Sequence, residues 1–248
     1  MNDPDRLSQI ETLWSMVYTA NQEGDDQSVA QRELLARYGT AIQSYLRGAL
    51  RDPVAAEDAY QEFAVKFLNG SFKNANHEKG RFRSFLKVVL SRLVADHFRS
   101  LKRKPTVQMD SQVVVPEKSD DVGEKEREFL NFWRDQMLTL AWQQLAEEER
   151  DSSMPWMTVL RLRVEKPDLR SADLALELSE KLKEEVTPTR LRVLLHRARE
   201  KFSKHLIAAV GQTIQEDTLD SVEQELAELE LLKYCQRTIE QLREDGGS

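Results

Sequence analysis

Apolar residues recur at three- and four-residue steps along almost all of this chain. Between Arg81 and Lys104 the apolar positions are Phe82, Phe85, Leu86, Val89, Leu90, Leu93 and Leu101, the stripe of an amphipathic helix. Such a helix has about 24 residues and is roughly 36 Å long, and Pro105 ends it. Pro53 to Leu68 repeats the pattern with Ala56, Ala59, Tyr60, Phe63 and Phe67 inward. Val29 to Leu50 is helical by the same spacing, and Leu7, Ile10, Trp14 and Val17 mark a shorter N-terminal helix. With nine Gly and seven Pro in 248 residues, the chain is short of the turn formers that an all-β sandwich needs. The fold class is all-α.

Punctuation divides the helices into blocks. Asn69 to Gly80 is a polar loop bounded by glycines, and residues 105–125 hold Pro105, Pro116 and Gly123 with little periodicity, as a linker does. Within it only Val113 to Val115 could dock. Helical pattern resumes near Glu124 and runs to about Arg150, with Phe129, Phe132, Trp133 and Leu140 among its apolar positions. A break at Asp151–Pro155 and a short helix through Leu160–Val164 follow. Ser171 is the expected N-cap of a helix to about Glu184, with Ala172, Leu174, Ala175, Leu178 and Leu182 inward. Thr187-Pro188 is an N-cap followed by proline at the first helical position. It opens a helix with Leu191, Leu194, Leu195, Ala198, Phe202 and Leu206 inward. The expected organisation is an N-terminal helical domain at 1–104, the linker at 105–125, a helical domain at 126–211 and a helical extension at 212–248.

Charge follows these blocks. The formal net charge is −7, which by itself counts against nucleic acid as a partner. Yet residues 79–104 hold nine Lys or Arg and one acid, Asp96, and residues 190–205 hold six Lys or Arg and one acid, Glu200. Residues 110–151 carry twelve acids against five bases, and 212–248 ten against three. Two cationic helices thus stand on an acidic molecule. On the first, Arg92, Asp96, Arg99 and Arg103 share a face, where pairs such as Arg92–Asp96 would form if the face were merely solvated. On the second, Arg192, His196, Arg199 and Ser203 recur at the same spacing. Two short helices with a basic second member suit a helix-turn-helix DNA reader.

Several functions are excluded. The single cysteine, Cys235, rules out an intrachain disulfide and a Cys-rich zinc site. His77, His97, His196 and His205 have no metal-ligand spacing among themselves or with Cys235. Phosphate-loop, dinucleotide and nucleophile-elbow motifs are missing. Carboxylate pairs such as Glu147 and Glu149 read as solvated helix faces, and Trp14, Trp133, Trp142 and Trp156 as packing residues. No apolar run approaches the roughly 20 residues of a membrane span, and the N-terminus has no signal-peptide pattern. The expectation is a cytoplasmic protein that needs no cofactor or metal and is not an enzyme.

Ala56-Glu-Asp-Ala-Tyr-Gln-Glu-Phe63 and, about 17 residues on, Gly80-Arg-Phe-Arg-Ser-Phe-Leu86 with its basic continuation to Lys104 resemble two consecutive motifs of bacterial extracytoplasmic-function sigma factors. These are two-domain promoter-recognition subunits of RNA polymerase. Leu191-Arg-Val-Leu-Leu-His-Arg-Ala-Arg199 is similar to the family's second DNA-reading helix. The resemblance covers roughly residues 30–104 and 126–207. It implies that Glu57, Asp58, Gln61 and Glu62 dock on the clamp helices of the polymerase β′ subunit, with the β flap as a further contact. It implies that the −10 promoter element is opened and read by Phe72, Asn74, Asn76, His77, Arg81, Arg83, Lys87, Arg92, Asp96, Arg99, Lys102, Arg103 and Lys104. The helix from Thr187 to Ser203 would read the −35 element through Thr187, Thr189, Arg190, Arg192, Val193, His196, Arg197 and Arg199.

These residue types suit those tasks. Extruding a base costs a few kcal/mol. Side-chain amides can bond an exposed base edge, Phe72 can stack on one, and a basic track holds a single strand. Arg pairs with guanine in the major groove. The chain departs from the family where Arg92 replaces a frequent Asn, and where Lys181 to Thr187 replaces a tight glycine turn. Two other readings fit the helices: a regulator binding duplex operators without polymerase, and a helical adaptor whose basic faces hold acidic proteins. The acidic 57–62 surface argues for the sigma-factor resemblance over both, because an operator-binding repressor has no use for it.

The extension is outside the resemblance. Leu219, Val222, Leu226 and Leu229 follow heptad spacing, and Leu232, Cys235, Ile239 and Leu242 resume it after a slip. A terminal helix packed on its own domain accounts for this. A regulatory helix, with its acidic face over a basic DNA-reading surface, accounts for the charge as well. Regulation would come from that segment or from an anti-sigma protein.

Overall fold

The computed structural model describes residues 25–69, 81–103, 122–214 and 218–246. Among them are nine helices and no strand: α1 (Asp25–Leu50), α2 (Pro53–Leu68), α3 (Phe82–Arg103), α4 (Val122–Ser152), α5 (Trp156–Glu165), α6 (Ser171–Leu182), α7 (Pro188–Gly211), α8 (Leu219–Glu228) and α9 (Leu232–Gly246). The fold is all-α. The expected helix at Leu7–Val17, the loop from Gly70 to Gly80 and the linker up to residue 121, with Val113–Val115, lie outside the described residues. The last residues assigned to the linker, from Val122 on, are already helical in α4.

The chain forms two compact units. One comprises residues 1–136 and 211–229, the other residues 137–210 and 230–248. The chain therefore leaves the first unit within α4, returns to it after α7 and leaves again after α8.

In the first unit, α1 buries Leu34, Tyr38, Ile42, Tyr45, Leu46 and Leu50, three or four residues apart except at the adjacent Tyr45–Leu46 pair. Arg51 then adopts a left-handed conformation at φ 54°, and Asp52 starts α2. Its carboxylate accepts from the Val54 and Ala55 amides at 2.9 and 3.3 Å, with Pro53 in the first turn. Such a cap contributes about 1 kcal/mol. α2 buries Ala55, Ala56, Ala59, Phe63 and Phe67, close to the expected stripe, and Tyr60 is half-buried. Gly39 lets α1 approach α2, since a Cβ there would stand 2.7 Å from the Tyr60 hydroxyl.

An aromatic cluster ties α1, α3 and α4 together. Tyr38 stacks on Trp133 with centroids 5.3 Å apart, and Phe82 lies 6.0 and 6.1 Å from the two rings. Phe129 stacks on Trp133, and Tyr45 meets Phe129 edge-on. Along α3, Phe82, Leu86, Val89, Leu90 and Leu93 are buried. Leu101 is exposed, contrary to expectation.

The second unit packs α5, α6, α7 and α9 with the C-terminal part of α4. Trp142 packs on Phe202 at 4.9 Å, and Trp156 is buried beneath the Lys201 ammonium. Two expectations fail here. Arg170, not Ser171, is the N-cap of α6, and no side chain caps it; Ala172 accordingly faces solvent and Leu182 is only half-buried. Glu149 is no idle surface acid. Pro155 precedes α5 and has no side-chain acceptor to offer, so Glu149 accepts from the Thr158 amide at 2.8 Å and its hydroxyl at 2.6 Å. Glu148 bonds Lys201 and lies 2.9 Å from His205, which pins α4 to α7.

The slip in the heptad pattern of the extension is a helix break. α8 ends at Glu228, Glu230 takes φ 57°, and α9 begins at Leu232. Val222, Leu226 and Leu229 are buried in the first unit, and Leu231, Cys235 and Ile239 in the second.

Candidate polymerase and nucleic-acid interfaces

The exposed side of α2 carries Glu57, Asp58, Gln61 and Glu62, all open to solvent. Gln61 donates to Glu57 at 3.5 Å, and Glu62 pairs with Lys66 at 2.6 Å. The same side holds Val54, Val65 and Leu68, with exposures of 70%, 55% and 42%. Val54, Asp58, Gln61, Val65 and Leu68 step by four, three, four and three residues. That is the spacing with which one helix presents a seam to another, and it was legible in the sequence. From sequence the acids were picked out and the apolar residues on either side of them were missed.

Along α3 the cations divide between two flanks. Arg83 and Arg92 are nine residues apart, half a turn around the helix. On the flank of Arg92, Asp96 pairs with Arg99 at 2.7 Å rather than with Arg92, and all three side chains are exposed. Lys87 is half-buried. Phe72, Asn74, Asn76, His77 and Lys104 lie outside the described residues, as do the side chains of Lys102 and Arg103.

On the other flank, at the start of α3, Arg81 and Arg83 hold two carboxylates of α8. Arg83 bonds Glu225 through Nε at 2.6 Å and through an Nη at 3.1 Å, and reaches Glu228 at 2.6 Å. Arg81 pairs with Glu225 at 2.8 Å and also with Glu228. The Glu225 side chain is fully buried, and Arg83 is 12% exposed. Burial opposes the charge on Arg83, yet the bonds to Glu225 and Glu228 push its pKa above the ordinary value. Burial opposes ionisation of Glu228 as well, but bonds from Arg81 and Arg83 hold its carboxyl below the ordinary value. The Phe82 amide donates to the Thr213 carbonyl at 3.2 Å, and Arg37 of α1 donates to Gln212 at 2.8 Å. In the sequence only the acidity of the tail hinted at these partners.

In the second unit, Thr187 caps α7 by accepting from the Arg190 amide at 3.2 Å. Lys183, at φ 53°, ends α6 in the left-handed conformation, and the Val186 amide donates to Ser179 at 2.9 Å. Arg192, His196 and Arg199 border a cavity of about 400 Å³ with Arg163 and Ser171. Arg190 is paired with Glu184 at 2.5 Å. Thr189, Val193 and Arg197 are exposed on the adjoining side of α7. Ser203, expected to extend the basic row, is instead buried against α9, where its hydroxyl lies 2.6 Å from the Tyr234 carbonyl.

Residues 34–104, which include α2 and α3, match the family model of sigma-70 region 2. The matched segment is thus similar to region 2 of sigma-70 factors, over 71 of the 248 residues. Both α2 and α3 lie within the matched segment. No curated protein and no solved structure is significantly similar to the chain. Among the described residues no helix is long and apolar enough to cross a membrane.

Proposed function

We propose that the chain is a sigma factor of the extracytoplasmic-function type, binds core RNA polymerase through the exposed side of α2, and opens and reads promoter DNA through α3 and α7. The observation that carries the proposal is the α2 side within the matched region. Apolar Val54, Val65 and Leu68 flank Asp58 and Gln61 at coiled-coil spacing, beside Glu57 and Glu62. A seam of this kind, exposed among the described residues, suits a helical hairpin such as the β′ clamp helices.

The DNA contacts divide by chemistry. Exposed Arg92 and Arg99 of α3 suit single-strand phosphates. In the second unit, α6 and α7 act as the helix-turn-helix for the −35 element. Arg192, His196 and Arg199 suit the phosphate backbone, and Thr189, Val193 and Arg197 suit base edges. The β flap is the further polymerase contact of this unit. The chain supplies binding surfaces, and phosphodiester chemistry belongs to the polymerase.

Run-off transcription with core polymerase and genomic promoter fragments tests the proposal, together with a core pull-down. Promoter-specific initiation is expected. Asp58→Lys with Glu62→Lys should abolish core capture while far-ultraviolet circular dichroism stays unchanged. Absence of both initiation and core capture with the unaltered chain would refute the reading and favour a regulator acting on duplex operators.

A further inference from the structure

The start of α3 is electrostatically unusual. Its first turn has no acidic residue, yet Arg81 and Arg83 stand at the end where the helix dipole is already positive. Two guanidiniums there repel the helix end unless an anion sits between them. Two guanidiniums converging on one point form the geometry that holds carboxylates and phosphates. Here the anions are Glu225 and Glu228, one helical turn apart on α8. The segment from Gln212 to Leu229 carries six acids and no Lys or Arg.

Resting on the promoter-binding reading above, we infer that Arg81 and Arg83 form an anion site for a backbone phosphate of single-stranded DNA, which the Glu225 and Glu228 carboxylates of α8 fill in cis until DNA displaces them. The site stands at the start of α3, inside the segment matched to sigma-70 region 2. The Arg92–Arg99 flank lies half a turn away and remains open, so α8 covers one part of the basic surface and leaves the other to make first contact. The strength of the closed state comes from the buried Glu225–Arg83 pair and from Val222, Leu226 and Leu229. The partly exposed Glu228, at 42%, is where competition by a phosphate begins.

Two measurements test this with the full chain. In the first, hydrogen exchange of residues 219–228 is followed with and without a labelled 20-nucleotide oligo-dT at saturation. Displacement predicts faster exchange of α8 with DNA bound, and unchanged protection would overturn the inference. In the second, oligo-dT affinity is measured against salt. Glu225→Gln with Glu228→Gln should bind at least tenfold more tightly than the unaltered chain. The plot of log affinity against log salt should steepen by about 0.7, the share of one added phosphate contact on a single strand. Adding Arg81→Gln and Arg83→Gln should remove both gains, which a merely structural role of α8 would not do. Equal affinity and slope in the unaltered and Gln-substituted chains, or no binding by either, would overturn the inference. Core capture does not involve α8, so its loss would identify failure of the promoter reading instead.

Discussion

A single carboxylate illustrates how position decides worth. Glu225 is fully buried with the Arg83 guanidinium against it, whereas Glu62 pairs with Lys66 in the open. Removing one partner of a buried pair leaves the other uncompensated and costs roughly 3–5 kcal/mol, but an exposed pair contributes about 0–1 kcal/mol. Glu225→Ala should therefore lower the denaturant midpoint of the first unit strongly, and Glu62→Ala should barely move it. Glu228 adds a pH dependence. Its folded carboxyl titrates below the ordinary 4.5 because Arg81 and Arg83 bond it. Its contribution is present above that value and disappears as pH falls through the lowered one. Protection of the α8 amides should be constant from pH 8 to 5 and fall under stronger acid, with Glu225 the other carboxylate facing the same arginines. Cys235 is buried and its thiol is pushed up to about 12 by desolvation. Alkylation by iodoacetamide at pH 8 should proceed only as fast as the second unit opens.

Among the elements, α2 separates stability from binding. Its inner side and its Asp52 cap hold the helix in place, and its outer side is exposed among the described residues. Asp52→Ala should cost about 1 kcal/mol, measured by urea unfolding, without a specific effect on core capture. Val65→Lys should do the reverse, since surface changes usually stay within about 0.5 kcal/mol, and core capture should fall at least tenfold. The limits of α2 were legible because Pro53 and the alanine–phenylalanine stripe agree. The start of α6 was not, since Ser171 has the right chemistry for a cap but the chain places Arg170 there. A cap depends on the backbone angles of one residue, which spacing alone does not specify. Glu149 was missed for a related reason: it caps α5 from nine residues upstream of Thr158, beyond the reach of a local motif.

Across the whole molecule, periodicity and charge blocks revealed the all-α class, the basic helices and the acidic tail. They did not reveal how the tail is shared. Heptad spacing interrupted by a slip reads as one imperfect helix, yet Glu230 breaks it and each half is buried in a different unit. Pairings separated by more than a hundred residues, such as Arg37 with Gln212, leave no local trace at all. The net charge of −7 likewise conceals that several of the acids sit on the molecule's own cations.

The return of α8 to the first unit also sets a schedule for synthesis. Arg83 and Glu225 are 142 residues apart, and chains grow at roughly 5–20 residues per second. For about 7–30 s of each translation event, the first unit therefore exists without its closing helix and with Arg81 and Arg83 lacking these carboxylates. A nascent chain stalled before residue 225 would present those arginines to any polyanion nearby, including the messenger RNA that encodes it.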